Sequence, residues 1–474
     1  MASEKKEKLN KNEIDKIKSS TLSRGLSVLG MTVATGAKYV SYKFGEAFSN
    51  REEKNPRLHN FLSEQANFLV KEFGKLKGSF MKVGQMLSTY GEYYLPPEVN
   101  GILKRLQAES APVSWNTMRR VIEKNLGAEI YEQLDICDEP ISAASMGQVY
   151  RAVRRSDGKV LALKVQYPGV DKAIDNDLKA IKSILTLSKL VPIGPEFNEI
   201  FNEVRMMLRN ETDYGRELEQ IKTFQNLLAD DPRFIIPEVF PEYSTKRILC
   251  MSFEEGVSMH DGRLLELSQL RRNKLGVAIM DLMFKEMFIW RMVQTDCHFG
   301  NFKIKIDEGV DGEDIDRIVL FDFGAIRKFP KRYMEPFAKL VYAALHRDAE
   351  GIVQLGVKLG FLRETDSQTQ LDLFVDLCYA AIIPFDECYA SPSLDGADSG
   401  DNPYLWGKTD LINALSNMAR DAVFAFKFRA PPRETVFLNR KMVGTYFFLR
   451  KINFEFGPRK LLLSHLQEDK TSGS

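Results

Sequence analysis

The chain has 474 residues, 44% of them hydrophobic, and its 66 Lys/Arg against 65 Asp/Glu leave a formal charge of +1 at pH 7. That balance removes the global basic field on which a nucleic-acid-binding protein relies, and the length supports a large core divided over roughly two or three subdomains. Five scattered cysteines with no C-x-x-C and five histidines with no H-E-x-x-H speak for a reduced, intracellular protein and against a structural metal centre.

Residues 1–20 mix acids with lysines and read as a charged disordered arm, neither a signal peptide nor a transit peptide. Residues 21–130 read as an N-terminal helical extension. Its uncharged run "GLSVLGMTVATGA", between Arg24 and Lys38, falls short of the about 20 residues that a bilayer span needs. Two readings stay open for residues 22–44: an amphipathic helix docked on the fold, or a helix lying on an anionic membrane surface. No longer apolar run occurs, so no transmembrane span is predicted. Further on, Phe73, Leu76, Phe80, Val83 and Leu87 recur at spacings of three and four and predict a helix with one apolar seam. Lys82 and Gln85 lie beside that seam; taken alone, the segment is a core helix with a solvated lysine.

Residues 131–256 are the β-rich part, with strands predicted around 147–154, 159–166 and 247–253 and one long helical tract at 196–229. Ahead of the first strand, a turn over 142–147 offers Ser142, Ala143, Ala144 and Ser145 with a single glycine, Gly147. "VLALKVQ" alternates like a half-buried strand and carries Lys164 between Leu163 and Val165. A lysine there is costly to bury unless it meets a phosphate or a carboxylate, and Glu217 on the helical tract is the candidate.

Residues 257–474 are mainly helical, apart from a hairpin over 302–322 and a loop rich in Gly, Asp and Ser over 390–403. In "QTDCHFGN", Asp296 and Asn301 stand as D-x-x-x-x-N, and Asp322-Phe323-Gly324 follows the hairpin. Phosphoryl transfer needs a carboxylate at the nucleophile, and a carboxylate and an amide on the metal ions; this pairing of motifs supplies all three. Soon after Asp322 comes "FPKRYMEPFAKL", a predicted helix, with no A-P-E, so the platform that docks protein substrates on kinases is missing. The order of elements predicts an α+β, two-lobed protein-kinase-like fold: a small β-rich N-lobe, a helical C-lobe and the N-terminal helical extension.

Together, "KVGQ" (82–85), "SAASMGQVYRA", "LALKVQYPGV", "ETDYGRE" (211–217), "QTDCHFGN" and "DFG" resemble the UbiB-type atypical kinase family, whose members include factors of coenzyme Q biosynthesis. The resemblance runs from about residue 60 to about 455. It implies that Lys164 pairs with Glu217 and contacts nucleotide phosphates, that Asn301 and Asp322 hold magnesium, and that Asp296 occupies the catalytic-base position. It further implies that Lys82 and Gln85 reach toward Glu211 and Asp213, and that the alanine-rich loop, with Ala143, Ala144 and Ser145, changes the grip on nucleotide and suppresses protein phosphorylation. The implied cofactors are ATP or ADP with Mg2+. The implied function is an ATPase-like atypical kinase supporting ubiquinone biosynthesis or lipid handling; a small-molecule or lipid phosphotransferase and a nucleotide-gated scaffold are the alternatives. The expected partners are anionic membrane lipid or quinone-biosynthesis proteins; the charge balance predicts no nucleic-acid partner, and the N-terminal sequence, with no targeting pattern, predicts a cytoplasmic protein peripheral to the inner membrane face.

Overall fold

In the computed structural model of the protein, residues 82–84, 86–87, 113–143, 146–187, 195–307, 316–394, 402–426 and 432–467 are described. The chain divides into two compact units, residues 1–222 with 238–253 and residues 223–237 with 254–474.

The first unit is built on an antiparallel sheet in the order β1 (Leu134–Ala143), β2 (Gly147–Arg154), β3 (Val160–Gln166), β5 (Ile248–Ser252); β4 (Phe234–Ile235) belongs to the second unit. Alternation along β3 buries Leu161, Leu163 and Val165 completely and leaves Lys164 half-buried on the other face. In register, Lys164 stands opposite Val149 on β2 and Leu249 on β5.

The turn expected over 142–147 is shorter than that. Ser142 pairs with Val149 and Ala143 with Gln148 as the last residues of β1, and Gly147 already belongs to β2. Gly147 has a packing reason to be glycine, since a Cβ there would collide with the Val165 carbonyl. Ala144 and Ser145 lie outside the described residues, as do Gln85 and the segment 22–44.

The longer helices of this unit among the described residues are α1 (Trp115–Leu126), α2 (Val170–Leu187), α3 (Pro195–Glu211) and α4 (Tyr214–Leu227), whose residues 223–227 belong to the second unit. The single tract expected at 196–229 is therefore two helices. The Thr212 hydroxyl donates back to the Leu208 and Arg209 carbonyls, and the Asp213 carboxylate accepts the Arg216 N–H, which ends one helix and caps the next. The Gln166 side chain pins the break by donating to the Thr212 carbonyl at 2.6 Å.

In the second unit, α5 (Gln269–Phe284) is buried along most of its length and continues into a π-helical turn over Lys285–Ile289. The other longer helices among the described residues are α6 (Lys331–Leu345), α7 (Ala349–Leu359), α8 (Gln368–Ala381), α9 (Leu411–Ala425), α10 (Arg433–Lys451) and α11 (Arg459–Gln467). Strand β8 (Arg317–Leu320) pairs antiparallel with β7 (Phe302–Lys305) in the expected hairpin, and parallel with β4. A second pair joins β6 (Met292–Gln294) to β9 (Ile326–Lys328). No helix among the described residues is long and apolar enough to cross a membrane.

One charged cluster fastens α11 to α5. Asp281 meets His465 Nε2 at 2.9 Å, Lys285 Nζ at 3.0 Å and the Arg233 guanidinium. Burial pushes the Asp281 carboxyl up, but His465, Arg233 and Lys285 outweigh it and hold the carboxyl below its ordinary range. A lowered folded-state pKa gives stability that is present above the unfolded value and lost as the pH falls toward the folded one. Asp281→Asn is therefore expected to cost about 1–3 kcal/mol at neutral pH, with the gap to wild type narrowing below about pH 4. Thermal denaturation across that range checks it; a gap independent of pH would contradict it.

Candidate active site

The candidate residues of the first unit form two ion pairs. Lys164 Nζ donates to both oxygens of Glu217, at 2.8 and 3.1 Å, and lies 5.3 Å from the centre of the Tyr214 ring. Glu217 is 1% exposed, so the lysine supplies the countercharge that a carboxylate at that depth requires. It sits on the first turn of α4, where the helix dipole also favours a negative charge.

The second pair joins Lys82 Nζ to Glu211 Oε1 at 2.9 Å. Lys82 is buried, with Val83, Met86 and Leu87 buried beside it in a helical segment, so the lysine is not solvated; Val83 and Leu87 are the buried members of the expected seam, and Phe73, Leu76 and Phe80 lie outside the described residues. Asp213 is engaged as the cap of α4.

In the second unit, Asp296, Asn301 and Asp322 line one pocket. The connection among them is a residue that sequence reasoning passed over. Gln294, at the end of β6, accepts the Asp296 N–H on its Oε1 at 3.2 Å and donates from Nε2 to the Asp322 carbonyl at 2.6 Å. One side-chain amide thus sets the start of the catalytic-type loop against the Asp-Phe-Gly turn. The loop closes on itself, since Asn301 Nδ2 donates to the Asp296 carbonyl at 2.8 Å and so turns its amide oxygen away from that bond. The Phe321 N–H reaches the Asn301 carbonyl at 3.5 Å, and the Gly324 N–H donates to Asp322 Oδ1 at 3.1 Å.

Beneath the loop lies a buried pair, Lys441 Nζ to Glu286 Oε2 at 2.7 Å, 4% and 2% exposed. The same carboxylate accepts the Gln294 N–H at 3.0 Å. Burial pushes the Glu286 carboxyl up against the pull of Lys441. Burial would push the Lys441 ammonium down, but Cys297 and Glu286 prevail and its pKa is raised. Burial also lifts the Cys297 thiol to about 11, so it is protonated and inert at neutral pH, and Glu286 is the partner that holds the lysine charged. Arg440, the neighbour of Lys441 on α10, reaches Asp296 Oδ1 at 3.1 Å.

A family model described as the ABC1 atypical kinase-like domain matches residues 105–356, just over half of the chain. The chain belongs to the ABC1 atypical kinase-like family. That stretch holds Lys164, Glu217, Asp296, Asn301 and Asp322; Lys82, Arg440 and Lys441 lie outside it. Among its relatives, the Danio rerio protein named atypical kinase COQ8B, mitochondrial, is 30% identical over 464 residues, 97% of this chain and 70% of that protein. The Saccharomyces cerevisiae protein named atypical kinase COQ8, mitochondrial, is 32% identical over 385 residues, 81% of this chain and 72% of that one. Among solved structures, Rv3197 of Mycobacterium tuberculosis, determined with erythromycin, shares the fold with a TM-score of 0.55 at 22% identity, over 87% of this chain and 98% of that one. The UbiB-type resemblance read from the motifs is therefore a family membership, the α+β kinase-like fold is present, and the kinase-like domain implies nucleotide binding.

Proposed function

We propose that this ABC1-family chain binds Mg-ATP, hydrolyses or transfers its terminal phosphate, and serves isoprenoid quinone metabolism or lipid handling at an anionic membrane. The observation that carries the reading is the set Asp296, Asn301 and Asp322 lining one pocket and tied together through Gln294. The relatives named COQ8 support the quinone assignment, and their names also place them in mitochondria.

The donor set fits magnesium. It offers one amide oxygen and one carboxylate, hard ligands of the kind that hold Mg2+ alongside substrate phosphates. Among the described residues no group of three or more His, Cys, Asp or Glu could hold a metal. When bound, the ion neutralises phosphate charge. In this reading Asn301 and Asp322 hold it, Lys164 contacts the phosphates while Glu217 keeps it in place, and Asp296 orients the attacking hydroxyl or water. Ala143, Ala144 and Ser145 alter the grip on nucleotide, and Lys82, held by Glu211, acts with Gln85 to suppress protein phosphorylation.

The test is Mg-ATP binding and phosphate release by purified protein beside Asp322→Asn, with and without anionic liposomes. The variant is expected to bind Mg-ATP about tenfold more weakly or worse, and liposomes to raise wild-type turnover. Binding that ignores both Mg2+ and the substitution would reject the assignment. The retained Asp296 favours a second reading, transfer to a small-molecule or lipid hydroxyl, and label from the γ-phosphate appearing in an extracted lipid would select it.

A further inference from the structure

The loop that carries Asp296 supplies no permanent cation of its own: Cys297, His298, Phe299 and Gly300 separate it from Asn301. Phosphoryl transfer nonetheless profits from a fixed positive group, and several enzymes of that class bring in an arginine from elsewhere in the chain. Here Arg440 arrives from α10, 144 residues downstream of Asp296 and outside the matched kinase-like domain.

Surface ion pairs are common and most do little. Three features separate this one from them. Arg440 and Asp296 are 17% and 16% exposed, and Asp296 lines the pocket. The next residue, Lys441, is anchored on Glu286 beneath the loop, and a Cβ on Gly444, one turn on, would collide with Cys297, so α10 lies hard against the loop. The backbone on both sides of the Asp296 side chain is already fixed, its N–H by Gln294 and its carbonyl by Asn301, and the guanidinium holds the carboxylate itself. An arginine whose backbone is immobilised in this way is preorganised, so its charge acts without reorganisation.

We infer that Arg440 is a positioning residue for the phosphoryl-transfer site: from α10, it holds the Asp296 carboxylate in the orientation that the attacking hydroxyl or water requires. This rests on the Mg-ATP reading above. The consequence is that the ABC1 domain alone is incomplete, and α10 completes it.

A double-substitution cycle tests this, with Arg440→Met, Asp296→Asn and the pair, each checked for an unchanged melting temperature. Arg440→Met is expected to lower kcat for phosphate release roughly 10- to 100-fold while the Kd for Mg-ATP moves less than about twofold. In the Asp296→Asn background the same change is expected to cost less than about twofold, because the partner it acts through is gone. Arg440→Lys, which keeps the charge but not the fork, is expected to recover part of the loss. Losses that multiply independently across the cycle, a kcat that rises when Arg440 is removed, or a Kd that weakens in step with kcat would each overturn the inference. Wild-type protein that binds no Mg-ATP would instead remove the reading beneath it, and the Asp322→Asn comparison identifies that case separately.

Discussion

Lys441→Met is expected to destabilise the protein by about 3–5 kcal/mol, because it leaves a carboxylate in the core without its countercharge. Glu286 and Lys441 are both buried. After the substitution Glu286 retains the Gln294 N–H, which cannot replace a full positive charge. Its carboxyl, already pushed up by burial, would then take up a proton at the expense of stability. The prediction has a second half. Adding Glu286→Gln to Lys441→Met removes the stranded charge and keeps an acceptor for the Gln294 N–H, so at least about half of the loss should return. Denaturant unfolding of the two variants beside wild type measures both. A loss in Lys441→Met under about 1 kcal/mol, or a double variant no better than the single, would show that the pair bears no such weight.

The effect should extend to the site. Glu286 holds the N–H of Gln294, and Gln294 holds both Asp296 and Asp322, so loosening the buried pair loosens the loop and the Asp-Phe-Gly turn together. This chain of contacts is the part of the site that the sequence concealed. Lys164, Asp296, Asn301 and Asp322 were legible because each sits in a local pattern: a two-residue alternation, a D-x-x-x-x-N spacing, a hairpin with its turn. Arg440 and Lys441 obey no spacing that connects them to the loop they serve, and only the fold of the second unit brings them there. Gln294 stands two residues before Asp296 in a stretch that was legible, but an amide has no spacing rule of its own.

Two features of the fold were missed for different physical reasons. Strand β1 is mostly exposed and contains Pro140, with register irregularities on both sides of it, so it lacks the alternation that identifies a strand; at the sheet edge a proline is tolerated. The break between α3 and α4 was hidden because apolar periodicity runs through the tract, while the interruption depends on two short side chains, Thr212 and Asp213, bonding to backbone. The pairing of Lys82 with Glu211 could not be read from periodicity either. The resemblance pointed to it, and burial of the lysine explains why a charged partner is required.

Lys164→Met should reduce kcat/KM for Mg-ATP hydrolysis by roughly 10²–10³-fold, since it removes at once the cation proposed to meet the phosphates and the partner of Glu217. The two losses can be separated. Glu217→Gln leaves the lysine charge in place but replaces its two charged contacts, 2.8 and 3.1 Å long, with a neutral amide, so the ammonium should lose orientation rather than existence. Its expected penalty is smaller, about 10- to 30-fold, and it should appear chiefly in kcat. Lys164→Arg is not a conservative change here, because β3 holds the lysine opposite Val149 and Leu249 with Tyr214 beside the ammonium, and a planar fork cannot take that place without displacing the ring. Stability distinguishes the variants again: Lys164→Met removes a countercharge from a carboxylate that is 1% exposed, whereas Glu217→Gln removes one from a lysine that is 18% exposed and can turn to water. Lys164→Met should therefore melt lower than Glu217→Gln. If it bound and hydrolysed Mg-ATP like wild type while still melting lower, Lys164 would be a strut for Glu217, and the phosphate contact would have to come from another cation of the first unit.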